Sequence, residues 1–305
     1  MRLKNNWLLF IIFHVLFMGV WGALIEIPEK NGFPATLGYV VWALTMVPAA
    51  IIALKINNWK LQTNSSSIFW GCLTGFLGAL GQLVLFITLK IAPAYLVFPL
   101  LSLTPVVTIL MAVVLLKEKT GPIGWIGIVV ALLAIVMLSY QPESDATVDG
   151  YLWMVLTAVP LLAWGSQGYV MRFANKKMSA ESLFFYMMIS SLLLIPVALW
   201  MTNFDEPINY GIDGPWLAGS IQILNAFGAL FLVYAFRYGK AIIVAPMTTA
   251  LSPVLTVALS LAIYSVIPHN IIIGGMVLSI VAAFLMGVEE THVDETKTEE
   301  ELSIK

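Results

Sequence analysis

Ten apolar runs, each close to twenty residues long and separated by short polar turns, leave this chain few ways to fold. They lie near 7–27, 36–54, 68–89, 93–116, 123–140, 150–171, 180–201, 215–237, 241–264 and 270–288. A bilayer core about 30 Å thick takes ~20 apolar residues per helix, so each run is long enough to cross one. Of the 305 residues, 60% are hydrophobic and 10% charged, whereas a soluble domain carries about 25% charge. A soluble globule keeps too much surface to hide that much apolar area; lipid removes the conflict. The expected fold is all-α and integral to the membrane, with ten transmembrane helices. Turn residues punctuate the runs at Asn57-Asn58, Gly121-Pro122, Gln141-Pro142, Asp205-Glu206-Pro207, Gly214-Pro215 and Pro268-His269-Asn270. Two runs nearly touch at Lys90–Pro93. Arg2 and Lys4 followed by Trp7 to Met18 have the outline of a signal peptide. The apolar stretch continues to Ile27, however, so it reads as a retained first helix.

Basic residues set the orientation, because Lys and Arg resist translocation. With ten spans and the N-terminus inside, thirteen basic residues fall on one side: Arg2, Lys4, Lys55, Lys60, Lys117, Lys119, Arg172, Lys176, Lys177, Arg237, Lys240, Lys297 and Lys305. Only Lys30 and Lys90 fall on the other, together with the acidic loops holding Glu143, Asp145, Asp149, Asp205, Glu206 and Asp213. Losing one span would scramble the division. The expectation is a multi-pass protein of the cytoplasmic membrane with both termini inside. Residues 289–305 are acidic and polar and read as a disordered cytoplasmic tail.

Several function classes drop out. A net charge of −2 offers no basic field for nucleic acid. A single cysteine, Cys72, excludes an internal disulfide and a thiolate metal cluster. No metal or cofactor is called for. There is no Walker A sequence, no His-Glu-x-x-His pair and no Gly-x-Ser-x-Gly elbow. Trp164-Gly165-Ser166-Gln167-Gly168 approaches the elbow but lacks its first glycine and a strand, and of His14, His269 and His292 only the first lies within a span. An enzyme is therefore not expected.

The two halves of the chain resemble each other. Trp21-Gly22 in the first span matches Trp164-Gly165 in the sixth, and Gly81 to Leu89-Lys90 matches Gly228 to Phe236-Arg237. Pro99 and Pro105 match Pro246 and Pro253, Thr108 matches Thr256, and Gly127 matches Gly275. Five spans is an odd number, so the second copy must insert upside down. This is the inverted repeat of many secondary transporters, in which alternating access exchanges the conformations of two similar halves. The divisions are 1–144 for the first repeat, 145–288 for the second and 289–305 for the tail.

These residues resemble the drug/metabolite transporter superfamily, specifically its EamA-type members. The matching features are Val20-Trp21-Gly22, Pro105-Val106, Leu115-Leu116-Lys117-Glu118-Lys119, and Pro122, Trp125 and Gly127. The resemblance covers residues 7–288. It implies a ten-helix secondary transporter of small organic solutes, often an exporter. It also implies a structural or gating role for Glu118, bracing the turn between spans 4 and 5 near the free amides of the next helix. Val266 stands where the second repeat would repeat Glu118, and Tyr39, Val40 and Val41 stand where an arginine is often seen.

Candidate functional residues are those that are costly to bury. His14 lies near the middle of span 1, and Trp21, seven residues on, shares its helix face; either a solute or a neighbouring helix can use that wall. Glu26, near the outer end of the span, is a proton-coupling candidate with His14, or a headgroup-level partner of Lys30. Gln82, Trp164, Gln167, Tyr186, Asn225 and Tyr234 complete the substrate-binding set, with Tyr169 and Gln222 as further polar neighbours. Amides donate and accept and so suit a polar or zwitterionic solute, but they also tie helices together. Pro99, Pro105, Pro246 and Pro253 are read as kinks around a central cavity, each freeing a carbonyl. Trp7, Trp42, Trp59, Trp70, Trp125, Trp153, Trp200 and Trp216 lie toward span ends and read as interface anchors. Together these point to a proton-coupled exporter of an amino-acid-like metabolite. Uptake of a sugar- or nucleoside-like solute is the alternative, and a non-transporting sensor or structural subunit a remote one. The expected partners are a small solute and the lipid bilayer, with the chain a monomer or homodimer.

Overall fold

The computed structural model describes residues 6–92, 97, 100–140, 151–264 and 269–303. Pro99, Val266 and the acidic 141–150 loop lie outside them. Among the described residues the ordered elements are helices: α1 (Trp7–Leu24), α2 (Glu26–Lys30), α3 (Ala35–Ile56), α4 (Ser65–Ile91), α5 (Thr104–Leu115), α6 (Pro122–Leu138), α7 (Leu152–Asn175), α8 (Ala180–Leu193), α9 (Ile195–Met201), α10 (Leu217–Tyr238), α11 (Ala241–Tyr264) and α12 (Asn270–Ser303). A wide π-type turn, Ile212–Trp216, leads into α10. Counting α1–α2, α8–α9 and the π turn with α10 as single spans, eight helices among the described residues are long and apolar enough to cross a membrane, and α5 and α6 are shorter apolar helices.

Local chemistry sets the breaks. Asn64 accepts from Ser67 N, and Ser179 from Ser182 N, so each caps the helix that follows. Pro122 takes the first position of α6, where its missing N–H costs nothing. Ala92 is extended before Pro93 and ends α4 (φ −141°, ψ 142°), as a residue before proline prefers. The third run thus ends as a helix at Ile91.

Two expectations change here. Pro105 is not a mid-helix kink but stands in the first turn of α5, where it frees no carbonyl. Pro246 and Pro253 do lie inside α11, as Pro48 does in α3 and Pro160 in α7. Nor does the helix stop at Val288: α12 runs to Ser303. The added residues include six glutamates, good helix formers that extend a helix already nucleated.

The bundle is apolar on its outside. Trp200 is 84% exposed and Phe284 70%, and Leu44, Leu110, Val114 and Leu133 also face outward, while Ala43, Ala49, Ala50 and Ala53 of α3 are buried. Lipid-facing bulk over a small-residue interior is how helices pack when water does not drive them together.

The contacts pair the two halves. α1 lies against α10 and α11; α7, its repeat counterpart, lies against α4 and α5. α3 packs on α10 as α8 packs on α4, and α3–α8, α5–α11 and α6–α12 each join a helix to its own counterpart. Glycines permit the closest approaches. A Cβ on Gly22 would meet Thr256 Oγ1 at 2.6 Å, and one on Gly168 would meet Thr108 Oγ1 at 2.8 Å. Thr256 Oγ1 donates to Gly19 O (3.1 Å) and Thr108 Oγ1 to Gly165 O (2.8 Å). The same kind of threonine-on-glycine contact is therefore made twice between the halves, in reciprocal directions and one helical turn apart in register.

Candidate functional site

In one half of the bundle, α10 presents Gln222 and Asn225 one turn apart. Trp21 of α1 donates its indole N–H to Gln222 Oε1 at 3.0 Å, and Trp42 of α3 donates to Asn225 Oδ1 at 2.8 Å. An indole nitrogen can only donate, so both amide oxygens are committed. The Gln222 amide then reaches Gly38 O at 3.4 Å, a long bond, while the Asn225 NH2 has no partner among the described residues. Below this layer His14 Nδ1 lies 2.9 Å from Gly228 O. A carbonyl cannot donate, so Nδ1 carries the proton. His14 is buried and anchors α1 to α10.

The other half answers with α7 on α4. Trp164 donates to Gly78 O (3.0 Å) and Gln167 Nε2 to Thr74 O (3.0 Å). Gly78 and Gly81 leave room for these side chains: a Cβ on Gly81 would sit 2.4 Å from the Trp164 indole nitrogen. The two repeat tryptophans thus reach across reciprocally, Trp21 to the second half and Trp164 to the first.

Other expected site residues are placed elsewhere. Gln82 is half-buried and makes no hydrogen bond among the described residues; helical spacing puts it one turn deeper than Phe86 and two turns deeper than Leu89. Tyr186 donates to Gln62 O (2.7 Å) and Tyr234 to Glu181 Oε1 (2.7 Å), both toward the end of the bundle that carries most of the lysines. That end is called the basic end below and the opposite one the acidic end. Tyr169 stacks on Phe173. Glu26 is exposed and paired with Lys30 at 2.7 Å, outside the helix interior.

The basic end is closed by charge. Lys117 adopts a left-handed backbone (φ 54°), and Glu118 N–H returns to Ala112 O (3.1 Å), turning Glu118 inward. Its carboxylate accepts from Arg172 Nε (2.9 Å) and from the first-turn amide of Ile242 (3.1 Å). The braced helix is therefore α11, not the expected α6. Arg172 also donates to Phe236 O (2.8 Å) and Arg237 O (2.9 Å), the last carbonyls of α10. Arg237 in turn donates to Asn175 O, on the last residue of α7, and to Met178 O in the loop just beyond it, and Asn175 Nδ2 donates to Val233 O (3.0 Å). Each helix has its C-terminus capped by the other's arginine, the favourable placement for a cation on a helix dipole.

The acidic end is open. A recess of about 480 Å³ lies there, lined by Glu29, Phe86, Leu89, Lys90, Asn203 and Glu206 among others. Lys90 is the repeat counterpart of Arg237, yet it is exposed at the recess and bonded to nothing described.

Sequence reasoning overlooked Trp42, Arg172 and Asn175. Trp42 stands two turns into α3, where position alone suggests an interface anchor; only its Asn225 partner, 183 residues away, gives it an interior role. Replacing Trp42 with Phe keeps the ring and removes the donor. Its expected cost is about 0.6 kcal/mol, the average for an interhelical hydrogen bond in a membrane, read as a small fall in thermal midpoint in detergent.

Known proteins share this fold. A solved crystal structure matches with a TM-score of 0.74 at 15% identity, covering 93% of this chain and 99% of that one, which is a likeness of fold. Protein LicB of Haemophilus influenzae is 25% identical over 238 residues, 74% of this chain and 80% of its own. A Methanocaldococcus jannaschii protein, MJ1333.1, is 31% identical over 111 residues, 36% of this chain but 79% of its own; that protein is about the size of one repeat. The model of the EamA-like transporter family matches twice, over residues 5–140 and 150–288. This chain, a multi-pass membrane protein, belongs to the EamA-like transporter family.

Proposed function

We propose that the protein is a secondary transporter that exports a small zwitterionic, amino-acid-like metabolite by alternating access. One observation carries this reading: a recess holding both charge signs at the acidic end, with the basic end sealed by Glu118 and Arg172. An α-carboxylate fits the unpaired Lys90 ammonium, and an α-ammonium fits Glu29 or Glu206. Phe86, Leu89 and Met201 supply an apolar wall. The tryptophan–amide layer and the free amides of Asn225 and Gln82 lie on the route between the halves. The acidic end faces out, in keeping with the thirteen basic residues assigned to the inside. A proton gradient drives the exchange, and His14 is the buried ionisable group between α1 and α10 that responds to it.

The test is flux of labelled amino acids in liposomes holding the purified protein, with and without an uncoupler. Export that saturates, collapses with the uncoupler and loses roughly tenfold in apparent affinity on Lys90→Gln supports the reading; that loss equals about 1.4 kcal/mol. Equal flux with the uncoupler removes proton coupling. Saturable uptake of an uncharged sugar or nucleoside, indifferent to Lys90, replaces the substrate class and the direction together.

A further inference from the structure

A second recess, at the basic end and apart from the proposed solute path, gathers cations without a carboxylate. It has a volume of about 340 Å³, and Lys60, Lys176, Lys177 and Arg237 line it together with Gln62 and Ser179. The usual inside bias of Lys and Arg accounts for basic residues at this end. It does not account for four of them around one hollow with no acidic residue in the lining, an arrangement that repels itself unless an anion is present.

The surroundings fix several of these groups in place. Arg237 is held by its bonds to Asn175 O and Met178 O. Lys177 lies over the Phe173 ring at 4.5 Å and the Trp70 ring at 5.7 Å. Gln62 Oε1 accepts from Ser179 N at 2.5 Å, which leaves its NH2 facing outward as a donor. The Lys60 and Lys176 ammonium groups have no hydrogen bond or ion pair among the described residues. The nearest carboxylate in sequence, Glu181, is turned away to Tyr234. Ser179 also caps α8, so the positive end of that helix dipole points to the same place. Trp59 is 62% exposed on the loop that carries Lys60, and exposed tryptophans mark the depth of lipid headgroups.

We propose that this recess binds a phosphate group, supplied by an anionic lipid headgroup or by free phosphate, between the α3–α4 loop and the α7–α8 loop. A bound phosphate would cross-link those two loops, which already touch through Asn57 Nδ2 and Ser179 Oγ at 3.2 Å. Basic residues near an anionic surface contribute about fivefold each to binding, the equivalent of ~1 kcal/mol.

The experiment uses the full chain in two arms. In the first, thermal midpoints are compared in nanodiscs of phosphatidylcholine alone and of phosphatidylcholine with phosphatidylglycerol. In the second, inorganic phosphate is titrated into the maltoside-solubilised protein against chloride at equal ionic strength. A rise only with phosphatidylglycerol assigns the site to a lipid headgroup; a rise with inorganic phosphate assigns it to free phosphate. In either arm the Lys60→Gln/Lys176→Gln/Lys177→Gln variant is expected to weaken binding on the order of a hundredfold, and the matching triple Lys→Arg variant to keep it within severalfold. Lys60→Glu, a single change on an exposed loop, provides the same comparison should the triple variant fold poorly. No rise over the matched control in both arms, or an equal rise in wild type and charge-removed variants, overturns the proposal.

Discussion

Arg172→Ala lowers the thermal midpoint more than any other single truncation at the basic end, with an expected cost of about 3–5 kcal/mol, the range for breaking a buried ion pair. The Arg172 side chain is 15% exposed and that of Glu118 6%. Truncation leaves the Glu118 carboxylate buried with only the Ile242 amide, and it strips Phe236 O and Arg237 O of their donor. Lysine is a poor substitute, since one ammonium cannot reproduce the planar fork that serves a carboxylate and two carbonyls. Removing both charges in Glu118→Ala/Arg172→Ala is expected to cost less than the sum of the single variants. The double-mutant cycle in detergent reads this coupling directly. Additive losses would show that the pair is not an energetic unit.

The second large effect is at Gly75. A Cβ there would lie 2.6 Å from Met187 Cα and 2.7 Å from Met187 O. These are backbone atoms, so no rotamer change relieves the clash, and α4 must move off α8. Overpacking of this kind costs about 1–3 kcal/mol, more than the ~1 kcal/mol of helix propensity that Gly→Ala returns. Gly75→Ala is therefore expected to lower the midpoint, and Gly75→Val to lower it further. Gly38→Ala is the control: nothing lies within 4 Å of its Cβ position, so the propensity gain stands alone and the midpoint should rise slightly.

These two sites also mark what could be read along the chain and what could not. Run length, the basic asymmetry and the repeat pairs are one-dimensional signals, and they carry the helical layout. The Trp21/Trp164 correspondence was legible in the same way, because identical short motifs recur at matching places. Partners are a different matter. Apolar periodicity places a stripe on a helix but does not say which helix covers it, so Trp42 passed for an anchor and Arg172 for one more inside cation. Glu118 drew notice through its motif, yet the α11 amide it binds is 124 residues away. The helix start at Thr104 likewise decides that Pro105 opens a helix and does not bend one. His14 illustrates the limit: the same buried imidazole serves as a strut or a proton carrier, and its bond to Gly228 O fixes only which nitrogen holds the proton.

The exchanged arginines at the basic end have a mechanical meaning. Through Arg172 and Arg237, α7 and α10 hold each other's C-terminal ends by four carbonyls, three in the last turns and one, Met178 O, just past α7, so those ends travel as one rigid block. From the first half, Glu118 is bound to that block and to α11. Glu118 thus gathers both arginine-capped ends and the start of α11 onto one carboxylate, so its release would loosen all three at once and leave the halves joined at this end by neutral bonds such as Asn57–Ser179 and Tyr186–Gln62.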